Sequence, residues 1–502
     1  MTDIGTGSAL LRSADRFFIG GEWVAPATDA RIDVIEPSTE ERFYSVAEAS
    51  ATDMSRAVAA ARAAFDTGPW PRMTPQERAA VMRDLANRLS TRTDDLARIW
   101  TSEMGIVNMY AKFIVGTAAD VYSYYAGLAD DFPFIERHHT TAGGDVGLLV
   151  REPVGVVGAI VPWNSAAHLL AYKAAPALLA GCTLVLKSSP EAPGSAYVLA
   201  EVAEEIGLPP GVINVVTADR EVSELLVRDP RVDKITFTGS TAAGRRIASI
   251  CGERIARYTL ELGGKSAAVV LDDADIGAVA SSLAGTACFM TGQVCASLTR
   301  IIVPAHKQDA FVDALSATFA HIAVGDPYEP TTGMGPLAAR RHLERVEDYI
   351  AVGQHEGAKL AIGGHRPAHL DRGFYIEPTV FADVDNESRI AQEEIFGPVL
   401  SVIPARDDDH AIELANSTIY GLNASVFTPD TERAFAVARR LRSGTVGHNA
   451  QRVEFGIAFG GVKQSGVGRE GGREGVYPYL ESKTVVLEGE LAAAADLPMM
   501  PA

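Results

Sequence analysis

The sequence predicts an α/β protein with two doubly wound domains and a small additional β element. Two observations predict this class. From Val154 the chain alternates short β-branched runs with longer runs of helical spacing, and a second alternation of the same kind begins near Ser266. With 502 residues, the chain has room for two or three domains of roughly 100–200 residues each.

The first alternation contains four strand-like runs and two helix-like runs between Val154 and Gly239. The helix-like runs close at Gly181 and Gly207. In chain order, the runs are VGVVGAIVPW, HLLAYKAAPALLAG, CTLVLKSS, AYVLAEVAEEIG, VINVVTA and DKITFTG. Strands joined by helices run parallel, so ligands are expected at the carboxyl ends of these strands.

The second alternation begins with SAAVVLDDADI and continues through TRIIVPA, LSVIPA and ASVFTP, with amphipathic runs such as QDAFVDALSATFAHI between them. Earlier, Asp53–Phe65 and Thr74–Ser90 have apolar residues at helical spacing and predict N-terminal helices. Turn glycines and an alternating end predict a projecting hairpin over His138–Arg151. Near the end, SKTVVLE predicts an added strand, and LAAAADLPMMPA is expected to fray.

The composition limits the classes of function. Apolar residues make up 47% of the chain and charged residues 22%, which is typical of a globular protein. The 45 Lys and Arg against 64 Asp and Glu give a net charge of −19 with no basic stripe, so nucleic acid is not an expected partner. The longest apolar stretch, Ala174–Leu186, is shorter than the ~20 residues of a spanning helix, so no membrane insertion is expected.

Four cysteines, Cys182, Cys251, Cys288 and Cys295, lie far apart without a CxxC pair, which favours free thiols in a reducing compartment. The N-terminal residues mix acidic and basic side chains and lack the order of a signal peptide. We therefore predict a cytoplasmic protein. The sequence contains no HExxH, no GxSxG and no metal-spaced Cys/His cluster, so a metal site, a metalloprotease and a serine hydrolase are not expected.

The region Lys234–Cys295 carries the most informative motifs. In KITFTGSTAAGRR, Gly239 and Gly244 lie at a strand-to-helix turn whose exposed N–H groups are expected to face a pyrophosphate. The turn matches neither GxGxxG nor a P-loop, so a kinase or ATPase has no support. TLELGGKS places Glu261 after a strand, and FMTGQVCASLTR places Cys295 in a turn. These two residues are a candidate base and nucleophile, provided that they meet in space.

These motifs, with PWNSAA, EEIFGPV, YGLNASVFT and FGGVKQSGVGRE, resemble the NAD(P)-dependent aldehyde dehydrogenase superfamily, in the family's order from about Phe18 to Glu488. The resemblance implies an aldehyde dehydrogenase-like fold with a Rossmann-like cofactor domain, a catalytic domain and an oligomerisation element. On this basis, residues 1–137 and 157–261 form the NAD(P)-binding domain with its N-terminal helices, and residues 262–463 form the catalytic domain. Residues 138–156 and 482–502 form the oligomerisation hairpin and the C-terminal strand and tail.

The resemblance implies three catalytic residues. Cys295 is the expected nucleophile, whose thiolate attacks the aldehyde carbon before hydride leaves for the nicotinamide. Asn164 is expected to stabilise the oxyanion together with the Cys295 backbone N–H, and one such donor lowers the barrier by ~2.7–4 kcal/mol. Glu261 is the expected base that activates water to hydrolyse the thioester. The other three cysteines are expected to be buried packing residues.

The resemblance also implies a cofactor site, in which Lys187 contacts the adenosine ribose and Glu394 the nicotinamide ribose. The full implied set is Trp163, Lys187, Gly239, Ser240, Gly244, Glu394 and Phe396. Many members carry a Glu three residues after the Lys, which repels a 2′-phosphate. Here Pro190 occupies that position and Glu191 follows. NAD is expected, and NADP stays open.

An apolar and aromatic substrate tunnel follows from the same resemblance, and it predicts a medium-chain or aromatic aldehyde rather than a charged one. Its implied lining is Leu169, Tyr172, Phe289, Val294 and Phe459. The neighbouring His168 receives no role. The chain departs from the family at Met290 and Thr291, where an Asn is frequent, and at Gly447, where a large aromatic is common, which affects the tunnel's shape.

The predicted function is oxidation of an aldehyde to the carboxylic acid with NAD through a Cys-bound thioester. A CoA-acylating relative is one alternative, but such enzymes tend to lack the base, so Glu261 favours hydrolysis. A non-catalytic binding protein on the same scaffold is another, and the joint presence of Asn164, Glu261 and Cys295 argues against it. The hairpin and C-terminal strand resemble the family's oligomerisation elements, and this resemblance implies a homodimer or homotetramer. The physiological aldehyde and the pathway are not readable from the sequence.

Overall fold

The structure is a computed structural model that describes residues 10–489 and residue 491. Its mixed α/β architecture confirms the predicted class. The strands are β1 Phe17–Ile19, β2 Glu22–Val24, β3 Arg31–Glu36, β4 Glu41–Ala47, β5 Ile135–His138, β6 Val146–Pro153, β7 Val156–Ile160, β8 Thr183–Ser188, β9 Ile213–Thr217, β10 Lys234–Thr238, β11 Arg257–Glu261, β12 Ser266–Val270, β13 Leu298–Pro304, β14 Lys359–Ile362, β15 Thr379–Ala382, β16 Val399–Ala405, β17 Asn423–Phe427, β18 Thr445–His448, β19 Gly466–Val467 and β20 Leu480–Leu487. The α-helices are α1 Ala51–Asp66, α2 Pro75–Ser90, α3 Thr93–Met104, α4 Asn108–Ile114, α5 Thr117–Gly127, α6 Ala166–Ala180, α7 Gly194–Glu205, α8 Arg220–Arg228, α9 Thr241–Glu253, α10 Ile276–Cys288, α11 Gln308–Phe319, α12 Arg340–His355, α13 Arg389–Gln392, α14 Asp408–Asn416 and α15 Thr431–Ala438.

The first sheet has the strand order β19-β11-β10-β7-β8-β9-β1-β2. Strands β7 to β11 are parallel, whereas β1, β2 and β19 pair antiparallel at its ends. One face packs against α1, α8 and α9, and the other packs against α2, α6 and α7. This doubly wound arrangement brings the carboxyl ends of β7, β8, β10 and β11 to one edge, where ligands bind in such sheets.

The second sheet has the order β14-β15-β16-β13-β12-β17-β18, in which β14 alone is antiparallel. Helices α12, α14 and α15 cover one face, and α10 and α11 cover the other. The turn that carries Cys295 connects α10 to β13, so the predicted nucleophile lies between a helix and a buried strand of this sheet.

A small antiparallel sheet has the order β20-β6-β5. Strands β5 and β6 form the hairpin predicted over His138–Arg151, but β5 begins at Ile135. Strand β20, predicted from SKTVVLE, begins at Leu480 and pairs along the whole of β6. The predicted boundaries at 138 and 482 therefore fall inside strands. The predicted fraying of LAAAADLPMMPA falls almost wholly outside the described residues.

After β18 the chain returns to the first sheet. Strand β19 pairs antiparallel with β11, with Gly466 opposite Glu261. Residues 464–481 belong to none of the parts predicted from the sequence, and this return carries Glu470 toward the site. The proposed division into domains stays a prediction. Among residues 10–489 and 491, no helix is long and apolar enough to cross a membrane.

Candidate active site

The turn before Cys295 has an unusual backbone. Met290, Thr291 and Gly292 have φ angles of 52°, 55° and 70°, all in the left-handed region. A β-branched residue such as Thr291 rarely adopts this conformation, which costs roughly 1–3 kcal/mol and persists only where the surroundings enforce it. The Thr291 hydroxyl donates to the carbonyl of Gly335 over 3.0 Å.

The side chain of Gln293 holds the same turn from inside the protein. Its Nε2 donates to the carbonyl of Met290 over 3.1 Å, and its Oε1 accepts the N–H of Ala338 over 2.9 Å. Gln293 is fully buried, so these bonds are shielded from water. The nucleophile turn is therefore tied to the segment that leads into α12.

Cys295 is partly exposed, whereas Cys182, Cys251 and Cys288 are buried, as the sequence predicted for packing residues. Enclosure of the thiol, together with the nearby carboxyls of Glu394 and Glu261, raises the pKa of Cys295 to about 12, and the N–H groups of Ala296 and Cys295 partly oppose the rise. The structure thus brings the predicted nucleophile close to both carboxyls. Without cofactor the sulfur is a thiol at neutral pH.

Asn164 lies just after β7 and is 7% exposed. Its Nδ2 donates to the backbone carbonyl of Gln293 over 3.0 Å. The backbone carbonyl of Asn164 accepts the indole N–H of Trp100 over 2.8 Å. The predicted oxyanion donor therefore contacts the nucleophile turn two residues before Cys295. An amide nitrogen carries two N–H groups, so one remains for a ligand.

Glu261 ends β11 and is 3% exposed. Within the described part of the chain, neither of its carboxyl oxygens has a hydrogen-bond partner. Burial and the neighbouring Glu470 raise the pKa of Glu261 well above its ordinary value, while Lys173 and Arg469 oppose the rise. A nearby positive charge favours the ionised form of such a carboxyl, which is the form that can accept a proton. At Gly460, a Cβ would lie 2.7 Å from Glu261 Oε1, so the glycine leaves space beside this carboxyl.

Two charged residues beside Glu261, Lys173 and Glu470, were not predicted from the sequence. Lys173 on α6 forms a buried ion pair with Glu470, and its ammonium also donates to the Thr238 hydroxyl over 2.7 Å. The second oxygen of Glu470 has no partner among the described residues. A lysine inside the apolar run HLLAYKAAPALLAG was the available signal, because an ionised side chain is rarely buried without a partner.

The expected nicotinamide end of the cofactor site is built from two sheets. The rings of Trp163 and Phe396 meet edge to face with centroids 5.5 Å apart. Glu394 accepts the N–H of Gly264 over 3.0 Å, and burial raises its pKa to about 7. A side chain at Gly263 would overlap the Glu394 carboxyl, so the two glycines of ELGG permit this approach.

His342 was also not predicted, and its ring lies 4.4 Å from that of Trp163. Its Nε2 has no partner within the part of the chain that the structure describes. His168, which received no role, bonds to Thr117 over 2.8 Å and packs against Trp100, as a structural histidine does.

The expected adenosine end lies at the edge formed by β8 and β10. Lys187 is buried, and this lowers its pKa to about 8, while Glu191 and Asp219 oppose the change. Ser240 caps α9 through its hydroxyl. The N–H of Gly239 donates to the backbone carbonyl of Glu261, and that of Gly244 donates to the backbone carbonyl of Ser240. These two N–H groups are therefore not exposed, contrary to the expectation. The N–H groups in the first turn of α9 have no partner inside the helix, and that of Ala243 donates to the Ser240 hydroxyl.

Pro190 occupies the position at which many family members have a Glu, and the next residue, Glu191, supplies a carboxylate instead. Glu191 forms an ion pair with Arg341 of α12 and accepts the hydroxyl of Ser189. Although burial opposes the change, Arg341 and Ser189 lower the pKa of Glu191. An ionised carboxylate therefore lies three residues beyond the end of β8, the strand that contains Lys187.

The predicted substrate residues lie in two apolar clusters. Phe459 forms a small apolar cluster with Ala296 and Leu422, against which Cys295 and Val294 pack. The large core of the first sheet includes or contacts Leu169, Tyr172, Phe289 and Val294. Val294 therefore contacts both this core and the small cluster around Phe459. Phe455, which was not predicted, packs between Tyr172 and Phe459. Within the described residues, no three His, Cys, Asp or Glu side chains are grouped as metal ligands.

The fold and this site define an oxidoreductase. A family model for the aldehyde dehydrogenase family matches residues 23–485. Geranial dehydrogenase of Castellaniella defragrans is 45% identical over 473 residues, which cover 94% of this chain and 98% of the relative. The chain belongs to the aldehyde dehydrogenase family, which confirms the resemblance and the enzyme class.

Solved structures agree with this assignment. A Mycobacterium tuberculosis aldehyde dehydrogenase complexed with NAD+ has a TM-score of 0.93 and 44% identity, covering 95% of this chain and 99% of that one. A mutant of aldehyde dehydrogenase C from Pseudomonas syringae, complexed with NAD+ and octanal, has a TM-score of 0.91 and 40% identity, covering 95% and 97%. The cofactor bound in both relatives is the one expected here.

Proposed function

We propose that this protein oxidises a neutral apolar aldehyde to its carboxylic acid with NAD+, through a thioester on Cys295. One observation carries the proposal: the thiol of Cys295, a residue that is partly exposed, lies near the carboxyl of Glu261, on a turn that Asn164 contacts. A nucleophile, a base and an oxyanion donor are the groups that hydrolytic aldehyde oxidation requires.

In the first step, Cys295 Sγ forms a bond to the aldehyde carbon, and the thiol proton passes to a neighbouring carboxylate. Glu394 and Glu261 both act electrostatically on this sulfur, so either lies near enough to affect the proton. The aldehyde oxygen gains negative charge. The second N–H of Asn164 and the backbone N–H of Cys295 are the donors available to it.

The residues of the cofactor site fit a dinucleotide. The first turn of α9 offers N–H groups, Trp163 and Phe396 offer ring surfaces, and the absent side chain at Gly263 leaves Glu394 accessible. When bound, NAD+ accepts a hydride from the carbon attached to Cys295, which leaves a thioester. The Glu191 carboxylate acts on Lys187 and supports NAD+ over NADP+, because a carboxylate disfavours a 2′-phosphate, while its ion pair with Arg341 offsets part of this charge.

In the second step, Glu261 takes a proton from water, the resulting hydroxide attacks the thioester carbon, and Cys295 leaves as a thiolate. Neither oxygen of Glu261 has a hydrogen-bond partner among the described residues, so both are available to accept this proton. The positive charge of Lys173 makes the ionised form of Glu261 more accessible. Hydrolysis by water favours a free acid as product. Detection of an acyl-CoA instead would support the CoA-acylating alternative.

The aromatic and aliphatic side chains near Cys295 support an apolar substrate. One relative named for geranial, and a mutant of another crystallised with octanal, agree with that class. The non-catalytic alternative is supported by no particular feature of the site.

We also propose a homodimer or homotetramer in the cytoplasm. The small sheet ends in the edge strands β5 and β20, which can pair with a strand of another copy. The four free cysteines support a reducing compartment. Light scattering separates the dimer from the tetramer.

The direct test measures NADH absorbance with a panel of aliphatic and aromatic aldehydes. Wild-type protein should reduce NAD+, and Cys295→Ala should not. Cys288→Ala is the matched control, since Cys288 is buried and precedes the turn. Equal activity in the Cys295→Ala variant would refute the mechanism.

A further inference from the structure

Trp100, on α3, donates its indole N–H to the backbone carbonyl of Asn164 over 2.8 Å. Both residues are buried, with exposed fractions of 4% and 7%. We infer that Trp100 is a positioning residue, which fixes the backbone at Asn164 so that the amide side chain of Asn164 meets the aldehyde oxygen as negative charge develops there. The inference rests on the proposed function, in which Asn164 is the oxyanion donor.

The connection that carries Asn164 is not capped by its own helix. It joins β7 to α6, and Ser165 is the N-cap residue of α6. Within the described residues, the Ser165 side chain forms no capping hydrogen bond, and its φ of −138° and ψ of 55° lie outside the extended region typical of an N-cap. The hydrogen bond from α3 therefore supplies a constraint that the start of α6 does not.

Asn164 is held at two atoms. Its backbone carbonyl accepts from Trp100, and its Nδ2 donates to the backbone carbonyl of Gln293, two residues before Cys295. These bonds join α3 to the nucleophile turn through Asn164. Because the side-chain amide is planar, the direction of its second N–H is set once the backbone and the first N–H are fixed. Trp100 thus acts on the donor that faces the oxyanion without touching the substrate.

The indole ring of Trp100 is itself supported by His168. The two ring centroids lie 5.8 Å apart, with the planes inclined at 53°. The Thr117 hydroxyl donates to the carbonyl of Ile114 over 2.7 Å and lies 2.8 Å from His168 Nε2. A hydroxyl has one proton, so His168 Nε2 is the donor in the second bond. Burial lowers the pKa of His168 to about 4, so an uncharged imidazole packs against the indole.

The chain contains a matched pair of buried tryptophans. Trp70 is fully buried, and its Nε1 has no hydrogen-bond partner among the described residues, whereas Nε1 of Trp100 holds Asn164. Replacement by Phe reduces the volume in the same way at both positions. Only at position 100 does it also leave a buried carbonyl without its donor, so that the Asn164 backbone shifts to find another partner.

The test measures kcat/KM for octanal and propanal in wild type, Trp100→Phe, Asn164→Ala and the double variant. Trp100→Phe should lower kcat/KM by about tenfold for both aldehydes, because the oxyanion is common to them. Trp70→Phe is the control and should stay within about twofold of wild type. In the Asn164→Ala background, Trp100→Phe should change kcat/KM by less than about twofold, since a residue that acts through the amide has no effect once the amide is absent.

The outcomes separate a positioning role from a structural one. Values in Trp100→Phe within about twofold of wild type overturn the inference, and so does an equal loss in the wild-type and Asn164→Ala backgrounds. A loss with octanal alone overturns it as well, since that result indicates contact with the substrate chain. Each of these leaves the proposed function standing, whereas wild-type protein that oxidises no aldehyde refutes the proposed function itself.

A second replacement covers the case in which Trp100→Phe does not fold. Benzothienylalanine at position 100 keeps the bicyclic shape of the indole and lacks its N–H. It should give the same loss of about tenfold for both aldehydes. Unchanged kcat/KM in that variant overturns the inference.

Discussion

Lys173 and Glu470 form an ion pair that is buried on all sides and lies beside the unpaired carboxyl of Glu261. The two residues come from α6 and from the segment after β19, and their charges act on Glu261 in opposite directions. Glu470 raises the pKa of Glu261 and Lys173 lowers it. The pair therefore controls how much of Glu261 is ionised and able to act as a base.

Replacing Lys173 with Met is expected to slow hydrolysis of the thioester. Loss of the positive charge raises the pKa of Glu261 further, so its ionised fraction at neutral pH falls. The acidic limb of the kcat–pH profile should move to higher pH, and kcat at pH 7 should fall by about tenfold. Glu470→Gln removes the negative charge and should move the limb to lower pH.

The control for this pair is Lys483→Met, because Lys483 is 56% exposed on β20 and forms an ion pair with Glu152 at a distance from Glu261. Quenched-flow measurement of acyl-enzyme decay isolates the hydrolytic step. Identical pH profiles in wild type and in both cluster variants would show that the pair has no electrostatic role.

A methyl group at Gly264 is expected to displace the nucleophile. The added Cβ would overlap the backbone carbonyl of Cys295, so the turn must shift. A displacement of about 1 Å can lower kcat by about a hundredfold. Gly252→Ala is the matched control, because a Cβ at this helical position meets nothing within 4 Å. Steady-state measurements compare kcat of the two variants, and equal kcat values would contradict the predicted displacement of the nucleophile turn.

Alkylation of Cys295 should be slow at neutral pH without cofactor. The raised pKa, about 12, leaves little thiolate, so the rate with iodoacetamide should increase steadily from pH 7 to pH 10. Since Glu394 contributes to the rise in the pKa of Cys295, Glu394→Gln should react faster at each pH. Peptide mass spectrometry assigns the modified residue. A rate that reaches a plateau below pH 8 would contradict the account.

The hydroxyl of Thr291 is expected to stabilise the left-handed turn. In Thr291→Val, the carbonyl of Gly335 loses its partner while the strained backbone stays, which should lower the free energy of unfolding by about 1–3 kcal/mol. Urea denaturation measures this value. Thr331→Val, at an exposed loop position, should change it by less than about 0.5 kcal/mol. The prediction fails if the two variants are equally stable.

The sequence predicted the sheets and the nucleophile because their signals are local. The β-branched runs that become β7 to β10 are bounded by glycines, and the motifs around Asn164, Glu261 and Cys295 are contiguous. The proximity of these three residues in the fold was predicted through the family resemblance, because sequence spacing alone does not show that Glu261 lies near Cys295. Helices α3 to α5 were not predicted individually.

The remaining features depend on contacts between distant segments. The pairing of β19 with β11 brings Glu470 to Lys173, and no local sequence pattern around Glu470 predicts this contact. Phe455 joins Tyr172 and Phe459 only because the backbone of 455–459 lies against 470–472. The N–H of Gly239 forms a tertiary hydrogen bond and that of Gly244 forms a helical one. The spacing of the two glycines in the sequence does not predict either bond.

A single-turnover experiment with Glu261→Gln tests the central claim most directly. The variant is mixed with NAD+ and octanal, NADH is followed by absorbance, and the protein is digested for mass spectrometry. The account predicts one rapid burst of NADH, little further turnover, and an octanoyl group on the peptide that contains Cys295. Continuous turnover at the wild-type rate, or an acyl group on another residue, would contradict it.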